Sequence, residues 1–219
     1  MFDAIILMAG KGERTGLPYN KTLYRIKGKP IFRYSLETFL ACRECRKVVL
    51  VTAADEMNLV RELVADLSRV ELTIGGSHRR DSVNAGLALC SEAVVLIHDA
   101  ARPLVTTEEI RDVYRQTLEN KVAVLAVKTT DTIISTASGY QTLDREHLWN
   151  VQTPQGVWLD AYRFALKEAI IDDYYPTDDS GLLVKYLNLT PAIVIGKSEN
   201  IKVTSKSDLD YLEYLLGRK

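Results

Sequence analysis

At 219 residues the chain is long enough for one well-buried domain, and length alone would allow two. Its 28 Lys and Arg against 29 Asp and Glu leave a formal net charge of -1, which excludes a protein whose whole surface grips nucleic acid or an anionic membrane. No run of 18 apolar residues is present and no charged region leads into an apolar stretch with a cleavage site, so the expectation is a cytoplasmic protein without a membrane span.

The first predicted element is an apolar strand over 4–8, Ala4-Ile5-Ile6-Leu7-Met8. It breaks into Ala9-Gly10-Lys11-Gly12-Glu13-Arg14-Thr15-Gly16, and Lys21 follows before a helical segment over 31–41. A strand that ends in a glycine-rich loop with spaced cations suits a polyphosphate. Glycines let backbone N–H groups approach the oxygens, and cations neutralise charge that grows during reaction. The bland alternative is an ordinary strand-to-helix turn with surface cations. Gly10, Gly12 and Gly16 give G-x-G-x-x-x-G, one residue off the dinucleotide fingerprint, and no acidic residue ends the second strand to hold a ribose.

Cys42 and Cys45 form a C-x-x-C at the end of the first helix, the wrong end for a helix dipole to activate a thiol, and no second pair completes a zinc site. Inert thiols are expected, with Cys90 in the core. The second strand, 47–52, is followed by a helix over 55–67 and a third strand over 70–74. Gly75-Gly76 then leads through Ser77 and Arg79 to Ser82 in a helix over 80–89. A serine there caps or binds an anion.

The strand over 93–98 delivers His98-Asp99-Ala100-Ala101-Arg102-Pro103, placing Asp99 where open α/β sheets bind ligands. A local Asp99–Arg102 ion pair is the plain alternative. A helix over 107–120 and a strand over 122–127 follow. Residues 129–150 break the rhythm, reading as two extended runs around a turn at Ser138-Gly139. Such a β-arm would project from the sheet and suits an oligomer contact. Helices over 159–169 and 177–187 come next, Thr177 capping the second and Asp178 and Asp179 favouring its dipole. A strand over 192–195 precedes a final helix over 206–216 capped by Ser205. Gly196-Lys197-Ser198 fails as a phosphate-loop ending because position 191 is proline. Lys202 lies between Ile201 and Val203, and alternation would point it to the face opposite two β-branched residues. The alternation of strands and helices predicts an α/β fold, a mostly parallel sheet flanked by helices.

In this order, the glycine loop with Arg14 and Lys21, Gly75-Gly76 through Arg79 to Ser82-Val83, His98 to Pro103, Thr153-Pro154-Gln155, Thr177-Asp178-Asp179 and Asn200-Ile201-Lys202 resemble the 2-C-methyl-D-erythritol 4-phosphate cytidylyltransferases over nearly the whole chain. The resemblance implies a Rossmann-like nucleotidyltransferase sheet, a single cytidylyltransferase domain over 1–219 and a dimerising β-arm at about 129–150. It implies a reaction of CTP with methylerythritol phosphate, with Mg2+, giving cytidine diphospho-methylerythritol and pyrophosphate.

By the same resemblance Ala9, Gly10, Lys11, Gly12 and Arg14 wrap the triphosphate, and Arg14 and Lys21 stabilise the transition state. Gly76, Ser77 and Ser82 face cytosine and ribose. Asp99, beside Ala100, and Arg102 lie near metal and acceptor, Asp99 being the candidate Mg2+ ligand. Thr132, Arg145, Thr153 and Lys202 hold the acceptor, Arg145 and Lys202 with a catalytic part. Thr132 and Arg145 would serve a partner subunit. The family usually has Pro-Lys-Gln where this chain has Asn20-Lys21-Thr22; loss of a fixed φ at Asn20 predicts a looser loop. The rivals are a ribitol 5-phosphate cytidylyltransferase, whose relatives tend to read His-Asp-Ser-Val-Arg-Pro, and a non-catalytic nucleotide-binding module. Retained Arg14, Lys21, Arg145 and Lys202 speak against the second.

Overall fold

The computed structural model describes residues 1–10 and 15–217. Its elements, in chain order, are β1 (Phe2–Leu7), β2 (Arg25–Ile26), β3 (Lys29–Pro30), α1 (Ile31–Ala41), β4 (Cys45–Thr52), α2 (Met57–Leu63), β5 (Val70–Ile74), α3 (Arg79–Leu87) and β6 (Val94–Asp99). Then come α4 (Thr107–Asn120), β7 (Val122–Lys128), β8 (Ile134–Ser135), β9 (Gln141–Thr142), β10 (Trp149–Trp158), α5 (Leu159–Ile171), α6 (Ser180–Leu187), β11 (Ala192–Ile195) and α7 (Lys206–Gly217).

Seven strands form one sheet in the order β11-β7-β10-β6-β1-β4-β5, parallel except for β10, which runs antiparallel to both neighbours. The predicted α/β class and mostly parallel sheet hold. Two-residue alternation explains the layers. Ala4, Ile6, Val48, Leu50 and Leu96 pack on one side with Phe32 and Leu36 of α1 and Ile110 of α4. Ile5, Val49, Val51, Val95 and Ile97 pack on the other with Val83 of α3, Leu166 of α5 and Leu182 of α6. A smaller cluster joins α7, through Leu209 and Leu212, to Ile26 and Ile31.

The central strand β10 is absent from the sequence reading, which runs an arm to residue 150 and resumes at a helix. Its buried face carries Gln152, Thr153 and Gln155, and its register shifts between Val151 and Gln155, around a cis Thr153–Pro154 peptide. Polar letters and a proline inside a bulge look like loop. Gly156 of β10 is required by packing, since a Cβ there would stand 1.9 Å from the Thr117 Oγ1 of α4.

The arm exists as a hairpin outside the main sheet. β8 pairs antiparallel with β9, Gly139 turns the chain at φ 101°, and the Thr129 N–H donates to the Leu148 carbonyl at the base. The helix expected over 55–67 covers only α2, with a 3-10 turn before it. The expected Ser205 cap is present: Ser205 Oγ accepts from the Asp208 N–H, and the Asp208 carboxylate accepts from the Ser205 and Thr204 N–H groups. Among the described residues no helix is long and apolar enough to cross a membrane. Cys42, Cys45 and Cys90 are buried free thiols, and burial pushes Cys45 and Cys90 up to about 12, so inert thiols are what the fold contains.

Candidate active site

A cleft of about 650 Å3 opens at the C-terminal ends of β1 and β6 and is lined by Ala9, Gly10, Lys21, Gly76, Ser77, Ser82, Asp99 and Lys202, with Arg79 and Ala101 among others. The parallel strands aim their ends at one edge, and the loops leaving them meet there. Gly75 permits the closest approach. A Cβ on it would lie 2.6 Å from Ala9 Cβ and 2.8 Å from Ser82 Oγ, so only glycine lets α3 come this near the loop after β1. Ser82 Oγ accepts from the Gly76 N–H at 3.2 Å, so this hydroxyl shapes the second glycine loop as well as lining the cleft.

A row of alternating charges runs from the cleft wall into the protein. Asp179 accepts from Arg79 Nη2 at 2.6 Å, Asp99 accepts from Arg79 Nη1 at 2.5 Å, and Lys202 Nζ lies 2.7 Å from the other Asp99 oxygen. Burial by itself would raise the Asp99 pKa, but Arg79 and Lys202 hold it well below the usual carboxylate range. Burial opposes the Arg79 charge, yet Asp179 and Asp99 keep its pKa above the ordinary guanidinium value. The second Asp179 oxygen accepts from Tyr162 Oη at 2.8 Å, and burial together with Asp179 drives that phenol pKa up.

The expected helix from 177, with Thr177 as its cap and Asp178 and Asp179 favouring its dipole, needs correction, because Thr177 lies ahead of the helix start. Helix α6 begins at Ser180, and the Asp179 and Ser180 N–H groups donate to Gln155 Oε1 of β10, at 3.0 and 2.8 Å. Asp179 is thereby released to the cleft side, where it holds Arg79. Asp178 accepts from Ser180 Oγ.

Behind Asp99 lies a buried polar relay. The Asp99 N–H donates to Thr153 Oγ1 at 3.0 Å, and Thr153 Oγ1 donates to His98 Nδ1 at 3.0 Å. His98 Nε2–H donates to the Arg102 carbonyl at 3.0 Å, which assigns the Nε2–H tautomer. Burial lowers the His98 pKa to about 4, so the ring is neutral. Arg102 donates to the carbonyls of Asn200 and Val151 at 2.7 and 3.3 Å, not to Asp99, so the local Asp99–Arg102 ion pair does not form. Val203 N–H donates to the Ala101 carbonyl, tying the Lys202 segment to the same turn. Residues 201–203 are not a strand, but their burial alternates: Val203 is buried and Lys202 exposed.

Lys21 opens a 3-10 turn over Lys21–Leu23 and lines the cleft at 9% exposure. The expected looseness at Asn20 is not what the structure contains. Asn20 is 4% exposed with φ -60°, the value a proline would impose, and its side chain makes four hydrogen bonds.

Of the remaining candidates, Lys11, Gly12 and Arg14 lie outside the described residues. Ala100 is wholly buried in the core, and Ala101 lines the cleft in its place. Thr153 and Arg102 stand behind the wall rather than in it. Thr132 and Arg145 are exposed on the arm, where Arg145 donates to the Thr130 carbonyl at 3.4 Å. Sequence reasoning did not give site roles to Arg79, Asp179 or Tyr162. Arg79 stands in the recognised glycine-to-serine motif, but its partner Asp179 is 100 residues away. Among the described residues Asp99 is the one carboxylate lining the cleft, and no group of three acidic, His or Cys side chains could hold a metal. A single carboxylate fits Mg2+ only as a minor ligand beside substrate phosphates.

The family model for 2-C-methyl-D-erythritol 4-phosphate cytidylyltransferase (IspD) matches residues 2–218. A cytidylyltransferase of that name from Bacillus velezensis is 36% identical over 222 residues, covering 98% of this chain and 95% of that protein. Its counterpart from Halalkalibacterium halodurans is 36% identical over 224 residues, covering 100% and 98%. The crystal structure of 4-diphosphocytidyl-2C-methyl-D-erythritol synthase from Anaerococcus prevotii shares the fold, with a TM-score of 0.90, 24% identity and 99% and 96% coverage. With Gly10, Gly76, Asp99 and Lys202 gathered at one cleft and a match over residues 2–218, the chain belongs to the 2-C-methyl-D-erythritol 4-phosphate cytidylyltransferase family.

Proposed function

We propose that the protein transfers a cytidylyl group from CTP to 2-C-methyl-D-erythritol 4-phosphate, releasing pyrophosphate, as a step of isoprenoid biosynthesis. The observation that carries the proposal is the convergence of Lys21, Arg79 and Lys202 on one cleft between two glycine loops. An oxygen of the acceptor phosphate attacks the α-phosphorus, a new P–O bond forms, and the bond to the β-phosphate breaks. The protein's part is placement and charge neutralisation.

In this proposal Ala9 and Gly10, with Lys11, Gly12 and Arg14, cradle the triphosphate while Lys21 meets charge at its leaving end. Gly76, Ser77 and Ser82 face the nucleoside. Lys202 and Arg102 serve the acceptor phosphate, Arg102 after exchanging its carbonyl partners, and Thr153 and Ala100 act by shaping the Asp99 turn. Arg79, whose two terminal nitrogens hold Asp99 and Asp179, contributes positive charge at the cleft wall. We propose Mg2+ as cofactor, held chiefly by the triphosphate with Asp99 as the protein contributor. It would neutralise phosphate charge.

A panel of acceptors with Mg-CTP tests the reaction. Pyrophosphate release with methylerythritol phosphate and little with ribitol 5-phosphate is expected; the reverse preference would sink the proposal. The relatives' names do not favour the ribitol reading.

We further propose one cytidylyltransferase unit over residues 1–219 that pairs through the arm. Thr132 and Arg145 lie exposed on the arm and do not line this chain's cleft, which suits delivery to the cleft of a second copy. Light scattering should give twice the chain mass. A monomer with full activity would refute the pairing. A cytoplasmic location fits Cys42 and Cys45, which stay unpaired three positions apart.

A further inference from the structure

We infer that Asn20 is a positioning residue for Lys21 and that Glu56 anchors it, an inference that rests on the role proposed above for Lys21. The two halves of the Asn20 side chain do different jobs. Its Nδ2 donates to the Met8 carbonyl at 2.6 Å and to Glu56 Oε2 at 2.9 Å, fixing it to the end of β1 and to the turn that follows β4. Its Oδ1 accepts from Thr22 N–H at 3.1 Å and Thr22 Oγ1 at 2.9 Å, capping the turn that Lys21 opens.

One side chain therefore couples two sheet strands to the turn on which the cation stands. Lys21 is buried between a capped neighbour on each side, since Asn20 and Thr22 are 4% and 3% exposed. Glu56 is half-buried, and burial raises its pKa, as expected of a carboxylate held in place by a neutral amide rather than a cation. The side-chain network reproduces, at φ -60°, the restraint that a proline ring would supply. Leu17, Pro18 and Tyr19 lead into Asn20 along a smaller hollow of about 370 Å3 that Glu56 also lines, and Ala9 and Gly10 line both this hollow and the cleft.

The substitution Asn20→Asp isolates the donor half. Aspartate still accepts from Thr22 but cannot donate to Met8 O, and it repels Glu56. A displacement of about an ångström at a reacting group is enough to cost about 10²-fold in rate. Asn20→Asp should therefore lower kcat by about 10- to 100-fold, with the CTP dissociation constant moved by less than about threefold. Adding Glu56→Gln restores a hydrogen bond with donor and acceptor exchanged, and should recover part of kcat.

The decisive measurement places Asn20→Asp in a Lys21→Ala background, where it should cost little more, because the residue it positions is gone. An equal further loss there, no recovery in the Asn20→Asp, Glu56→Gln pair, or a wild-type kcat for Asn20→Asp would overturn the inference. Lys21→Ala alone with wild-type kcat would instead overturn the role of Lys21 itself.

Discussion

Lys21→Ala should lower kcat by roughly 10²–10³-fold, about 2.7–4 kcal/mol, while CTP binding weakens far less. The reason is where charge grows. As the α–β bond of the triphosphate breaks, negative charge accumulates on the departing pyrophosphate, and a cation that meets it there stabilises the transition state more than the ground state. Two anions must also approach each other, and unit charges at 4 Å repel by roughly 4 kcal/mol at an effective dielectric near 20. Lys21 is suited to this because it is 9% exposed, so water screens its field only partly. Single-turnover release of pyrophosphate, set against CTP affinity measured without acceptor, separates the two effects. A loss confined to affinity would show that Lys21 serves binding alone. Lys21→Arg keeps the charge but changes its shape, and should recover only part of the rate.

The sequence made some of this architecture plain. Strands β1, β4 and β6 are buried on both faces, so their apolar runs stand out from any reading of pattern. The glycine pair after β5 and the Asp99 turn after β6 sit where such strands end, and both proved to line the cleft. β10 stayed hidden for a physical reason. Its buried polar side chains are there to satisfy other parts of the site: Gln155 caps α6, and Thr153 holds the Asp99 amide. A strand whose letters answer to distant partners loses the alternation by which strands are read.

Asp179 was obscured in the same way, because an aspartate at a helix start suits the dipole and a salt bridge equally, and its partner Arg79 is 100 residues away. At Asn20 the error ran the other way. The lost proline was legible, whereas the side-chain hydrogen bonds that replace its restraint were not, since Met8 follows β1 and Glu56 lies in the turn after β4, both far from Asn20 in the chain.

Arg79→Ala should affect both stability and rate, and pH separates the two. The guanidinium bridges Asp99 and Asp179, whose side chains are 9% and 3% exposed. Removing it leaves Asp99 with Lys202 and Asp179 with Tyr162 as partners, and losing one member of a buried ion pair costs about 3–5 kcal/mol. The sign of the pH effect follows from Asp99, whose pKa in the folded protein is depressed. Such a group contributes stability that is present above its unfolded pKa of about 3.9 and is lost as pH falls toward the folded value. Without Arg79 that depression shrinks. The stability gap between wild type and Arg79→Ala should therefore be widest near neutrality and should narrow as pH falls through the folded-state pKa that Asp99 has in the variant. Denaturant melts from pH 7 down into acid measure it, and a gap that widens as pH falls would contradict the bridge. Arg79→Lys tests the geometry, because a single ammonium cannot span both carboxylates as the planar fork does. It should return part of the stability through one pair, yet leave the rate low, since Asp99 and Asp179 would no longer be held together on one guanidinium at the cleft wall.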